Sequence, residues 1–125
     1  MASILIVDDD EIIRDTLSEL LSLEYSCDSA AMATDALAKL NAQTYDVMLT
    51  DISMPGLSGL ELFRFVAESY PNTSVIIISG ISDEEHAQRL IELGAFDFLV
   101  KPFRLELVEE TVKRAIQQRR VKTYS

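Results

Sequence analysis

The chain has 125 residues, 48% of them hydrophobic and 26% charged, which fits one domain with an ordinary core. Its net charge is −10, and the first 112 positions hold all 21 acids and six of the 11 basic residues, so the body of the chain is set to repel nucleic acid. No aliphatic run approaches the ~18 residues of a membrane span, Met1 leads into a β-like run with no basic leader, and a single cysteine, Cys27, excludes an internal disulfide and suits the cytoplasm.

Two periods alternate along the chain. Ile4–Val7 predicts a first strand, which runs into four acids, Asp8 to Glu11. Ile13, Leu17, Leu20 and Leu21 then follow the spacing of one helix face, with Asp10 as its N-cap. A weaker apolar run near Tyr25–Ala30 predicts a second strand, and Ala36, Leu37 and Leu40 a second helix. Val47–Leu49 predicts a third strand, followed by a turn at Met54-Pro55-Gly56 and a helix marked by Leu62, Phe63 and Val66. Val75–Ile78 predicts a fourth strand, and Ala87, Leu90 and Ile91 a fourth helix that Gly94 stops. Phe96–Val100 predicts the fifth strand, and Val108, Val112, Ala115 and Ile116 the last helix. Ser58 with Glu61 and Ser82 with Glu85 have the capping-box form at the starts of the third and fourth helices. The basic end (Lys113, Arg114, Arg119, Arg120, Lys122) complements a helix C-terminus and is available to an acidic partner.

The pattern is (βα)5, an α/β fold with a doubly wound, five-stranded parallel sheet. Its expected strand order is 2-1-3-4-5, the flavodoxin-like solution with right-handed crossovers. A domain over residues 1–120 followed by a tail or linker start at 121–125 is the expected organisation.

Ligands of such sheets bind beyond the carboxyl ends of the strands. The first strand ends in Asp8 and Asp9, the third in Asp51, the fourth in Ser79 and the fifth in Lys101. Singly, each has an ordinary reading as a turn former, cap or surface residue. Together they form a site. Like charges at ~4 Å with an effective dielectric near 20 cost about 4 kcal/mol per pair, so converging carboxylates either take up protons or hold a cation. Oxygen-only ligands suit Mg2+ before Ca2+. A metal, a Lys and a hydroxyl around three acids make a site for moving a phosphoryl group, with Asp51 as nucleophile.

These residues stand in "ILIVDDDE", "VMLTDISMPGLSGLEL", "VIIISG" and "GAFDFLVKPF". In that order and spacing they closely resemble the receiver domain of two-component response regulators, over about residues 3–118. The resemblance implies that Asp51 is the phosphoacceptor and that Mg2+, with Mn2+ as a substitute, is held by Asp9 directly, Asp8 mostly through water, Asp51, and the backbone carbonyl of Ser53. It implies that Ser79 and Lys101 contact the phosphoryl oxygens, that Lys101-Pro102 is a cis peptide, and that Phe98 is the switch aromatic. That position is often Tyr, and Phe98 lacks the hydroxyl. Ser79 stands where Thr is common. Ser53 and Ile81 flank the site where the family tunes dephosphorylation, and the apolar Ile81 predicts a long-lived phosphoryl group.

The implied donor is a histidine kinase or histidine phosphotransfer protein. The implied recipient is an effector protein or linked output domain, reading the surface of the fourth helix, fifth strand and fifth helix. A phosphorylation-dependent homodimer is a further implied partner; nucleic acid and membrane are not. The domain would catalyse only its own phosphorylation and dephosphorylation. Alternatives are a receiver-like interaction module that works without phosphorylation, a metal-dependent phosphatase of the haloacid dehalogenase type, and a flavodoxin-like cofactor binder. The phosphatase chemistry wants a carboxylate where Ser53 stands, and no G-x-G-x-x-G or Walker motif serves a cofactor. His86 reads as a solvated helix residue, and Cys27 as a small core residue.

Overall fold

The computed structural model describes residues 1–52, 59–80 and 83–124, with side chains to residue 118. The elements alternate along the chain: β1 (Ser3–Val7), α1 (Glu11–Leu21), β2 (Ser26–Ala30), α2 (Ala33–Ala42), β3 (Val47–Asp51), α3 (Gly59–Ser69), β4 (Ser74–Ser79), α4 (Glu84–Glu92), β5 (Asp97–Val100) and α5 (Leu105–Tyr124). All strand pairs are parallel, in the order β2-β1-β3-β4-β5. The expected topology is therefore the observed one.

The two-residue period of the strands divides the core into two layers. Leu5, Val7, Met48, Val75 and Ile77 pack with Ala36 and Leu40 of α2, Leu62, Phe63 and Val66 of α3, and Ala87 and Leu90 of α4. Ile4, Ile6, Val47, Leu49, Ile76, Ile78 and Leu99 pack on the other face with Leu17 and Leu21 of α1 and Val108, Val112, Ala115 and Ile116 of α5. Covering both faces explains why the central strands are continuously aliphatic. β2, at the sheet margin, is largely exposed or half-buried, which is why its sequence signal is weak. Here Tyr45 is buried, and its hydroxyl donates to Asp28 Oδ2 at 2.7 Å. Desolvation, then the facing Asp28 carboxylate, push the Tyr45 phenol well above its usual value.

Helix ends follow the local chemistry. Asp10 caps α1, its carboxylate accepting from the Ile12 N–H at 2.9 Å. At the end of α4, Gly94 has φ +117°, its N–H donates to the Ile91 carbonyl (3.0 Å), and the Ala95 N–H donates to the Leu90 carbonyl (2.9 Å). This is a Schellman cap, closed by the apolar pair Leu90 and Ala95 in one core layer. It turns the chain into β5. Because L side chains disfavour the left-handed region, Gly94→Ala is expected to lower stability by about 1–2 kcal/mol; urea unfolding with an unchanged midpoint would contradict this.

Asp83 stands at the N-cap of α4 and makes no side-chain cap hydrogen bond there. Ser58, Ser82 and the Met54-Pro55-Gly56 turn lie outside the described residues. α5 runs on to Tyr124. Among the described residues no helix is long and apolar enough to cross a membrane.

Candidate functional site

The strand ends deliver their polar residues to one edge of the sheet. Asp8 follows β1, its N–H donating to the Ala30 carbonyl at 3.2 Å, and is fully buried. Asp51 is the last residue of β3 and is 5% exposed. Ser79 is the last residue of β4 and is fully buried. Lys101 follows β5, its backbone N–H donating to the Ser79 carbonyl at 2.7 Å. Asp9 is exposed at the rim.

One carboxylate oxygen from each of Asp8, Asp9 and Asp51 falls in a group whose members lie within 4.8 Å of one another. The Lys101 Nζ is 3.2 Å from Asp8 Oδ2 and 3.3 Å from Asp51 Oδ2, and it donates a hydrogen bond to the latter. The contact with Asp8 is an ion pair without hydrogen-bond alignment, because Asp8 Oδ2 has no hydrogen-bond partner. Ser79 Oγ likewise has none. Buried polar atoms of native proteins are normally satisfied. A buried Ser79 hydroxyl with no hydrogen-bond partner, and an Asp8 oxygen met only by the Lys101 ammonium, fit a site built to be completed by a cation and an anion.

The electrostatics agree. Desolvation raises the Asp8 carboxyl above its ordinary value and the Asp51 charge adds to this, against the opposing Asp10 N–H and Lys101. Burial would lower the Lys101 ammonium, but the charges of Asp51 and Asp8 outweigh it and hold it above its usual value. A carboxyl whose folded value is raised contributes stability below its unfolded value, and loses it as pH rises through the folded value. At neutral pH the ionised Asp8 is therefore a burden on the fold. Asp8→Asn is expected to raise the melting temperature by about a few degrees in chelator at neutral pH, a gain that shrinks in acid. A melting temperature unchanged or lowered at neutral pH would contradict this.

The structure thus brings Asp8, Asp9, Asp51, Ser79 and Lys101 together. The Lys101–Pro102 bond is cis. Phe98 is half-buried and packs with the α2–α4 core layer; in the β4–β5 register it pairs with Ile77, and Ser79 with Val100. Ser53 and Ile81 lie outside the described residues. His86 is exposed on α4. Desolvation pushes the Cys27 thiol up, away from thiolate reactivity.

Two features escaped the sequence reading. An apolar cleft of roughly 400 Å³ opens beside Lys101, lined by Ile13, Leu17, Pro102, Phe103 and Leu105. Arg14 Nη1 donates to the Asp8 carbonyl at 2.7 Å. Its only sequence signal is a basic residue one turn into the helix that follows the acid run.

Comparison with known proteins agrees with this geometry. Residues 4–113 match the family model described as response regulator receiver domain. The C4-dicarboxylate transport transcriptional regulatory protein DctD of Rhizobium meliloti is 36% identical over 120 residues, covering 95% of this chain and 26% of that protein. The DNA-binding transcriptional regulator NtrC of Proteus hauseri is 39% identical over 112 residues, covering 89% and 24%. The crystal structure of a response regulator receiver domain protein from Clostridium thermocellum superposes with a TM-score of 0.90 at 30% identity, covering 97% of this chain and 98% of that one. The chain spans about a quarter of the length of the DctD and NtrC relatives.

Proposed function

The chain belongs to the response regulator receiver domain family, and on that premise we propose that it is a signalling switch that accepts a phosphoryl group on Asp51. The observation that carries this reading is the Lys101 ammonium lying between two buried strand-end carboxylates, those of Asp8 and Asp51, with the orphaned Ser79 hydroxyl at the same edge.

Asp8, Asp9 and Asp51 fit Mg2+, with the Ser53 carbonyl a further ligand by family resemblance and Mn2+ a substitute. When bound, Mg2+ supplies neutralisation of the carboxylate and phosphoryl charge. The chain's own residues do the rest. An Asp51 carboxylate oxygen attacks the phosphorus of a phosphohistidine on a histidine kinase or phosphotransfer protein. An O–P bond forms and the P–N bond breaks. Its electron pair stays on the imidazole nitrogen. Lys101 balances the phosphoryl charge, and the Ser79 hydroxyl donates to a phosphoryl oxygen, gaining the partner it lacks.

Ser79 and Phe98 then shift the balance between two states of the surface made by α4, β5 and α5. That surface addresses an effector protein, a linked output domain or a second copy of the chain. The domain spans residues 1–120 and works in the cytoplasm. Incubation with acetyl phosphate and Mg2+ is expected to add one phosphoryl group, seen by intact mass, and chelation by EDTA to suppress it by at least about tenfold, as loss of an electrostatic clamp does. Absence of labelling with Mg2+, or equal labelling in EDTA, would count against the reading.

A further inference from the structure

We propose that Arg14 is a positioning residue for the cation seat: its guanidinium fixes the β1–α1 turn so that Asp8 and Asp9 meet Asp51. This rests on the acceptor-site reading above. The β1 ladder reaches only to Val7 in its pairing with β2 and β3. The Asp8 carbonyl lies beyond it and receives Arg14 Nη1 at 2.7 Å. That carbonyl belongs to the peptide plane joining the two acids, so the bond sets their relative direction. The remainder of the turn is tied to the same residues. The Asp10 N–H donates to Asp8 Oδ1 (2.9 Å), the Ile12 N–H to Asp10 Oδ1 (2.9 Å), and the Arg14 N–H to the Asp10 carbonyl (3.0 Å). Arg14 therefore grips the turn through both backbone and side chain. Lys101 approaches the Asp8 carboxylate at its other oxygen. Arg14 is half-buried, in a cleft it shares with Asp35 and Lys39.

Charge and positioning predict opposite signs. A cation beside a cation seat repels Mg2+, so if Arg14 acted through charge alone, removing it would tighten binding. If it orients the acids, removing it weakens binding, as loss of an outer partner of metal ligands does. The test is calorimetric titration of Mg2+, without phosphodonor, into the wild-type protein, Arg14→Met and Arg14→Lys, with melting in EDTA as the check on folding. Arg14→Met is expected to bind Mg2+ about tenfold more weakly. Arg14→Lys, which keeps the charge and a donor group but not the planar fork, is expected to lose roughly threefold. At saturating Mg2+ the labelling rate of both variants from acetyl phosphate should return towards wild type, because the seat is misplaced and the acceptor intact. Mg2+ affinity in Arg14→Met equal to or above wild type overturns the role. Should that variant not fold, wild-type affinity in Arg14→Lys overturns it. If the wild-type protein itself binds no Mg2+, the cation seat and Arg14's part in it fall together.

Discussion

Asp51→Asn is expected to take no phosphoryl group from acetyl phosphate, a loss beyond about a thousandfold in initial rate, since the nucleophile itself is removed. The substitution is nearly isosteric at a position 5% exposed, so the fold should persist. The amide has neither the charge nor the nucleophilicity of the carboxylate. It also removes one of three clustered acids, so Mg2+ should bind more weakly, while the like-charge cost of the cluster falls. The variant should therefore be folded, no less stable without metal, and unlabelled. Stoichiometric labelling of Asp51→Asn would move the acceptor elsewhere.

Lys101→Met is expected to act on both stability and signalling. Nζ lies 3.2 Å and 3.3 Å from two carboxylates that are all but inaccessible to solvent. Removing one member of a buried ion pair costs about 3–5 kcal/mol. Because the Lys101 side chain is 28% exposed, water enters and the loss should lie near the lower limit, about 3 kcal/mol. The Lys101 ammonium is held above its ordinary value, so its contribution is fully present at neutral pH and disappears only as pH rises through that folded value. Urea unfolding in EDTA should show the deficit, and saturating Mg2+ should narrow it by neutralising the same carboxylates. The variant should still take some label, because the nucleophile remains, but lose output to its effector. Wild-type stability in EDTA, or full output, would remove Lys101 from this role.

The legible parts of the molecule are those where one residue's neighbours are set by period alone. Ile4–Val7 and Val75–Ile78 are apolar at every position, and both proved fully enclosed strands. The strand-end acids were legible because an apolar run stops where they begin, and sheet topology then brings the ends together. Gly94 was legible as a helix stop because few other residues tolerate its φ of +117°. What stayed hidden depends on rotamers and long-range partners. The Tyr45–Asp28 bond joins residues 17 apart. Arg114 reaches Asp97 at 3.0 Å and covers the Phe96 ring, tying α5 to β5, whereas the sequence offered its charge as a complement to the helix end or a contact for an acidic partner. Arg14 drew no functional reading from the sequence, since nothing in periodicity says which carbonyl a guanidinium will find.

Borohydride reduction tests the acceptor assignment most directly. An aspartyl phosphate is an activated acyl group and is reduced to homoserine, whereas a free carboxylate and phosphoesters are not. The protein treated with acetyl phosphate and Mg2+, then reduced and digested, should yield homoserine at Asp51 in the peptide that contains it. Untreated protein should yield none. Homoserine at Asp8, Asp9 or another acid in place of Asp51, or phosphate retained on a hydroxyl or on His86, would contradict the account.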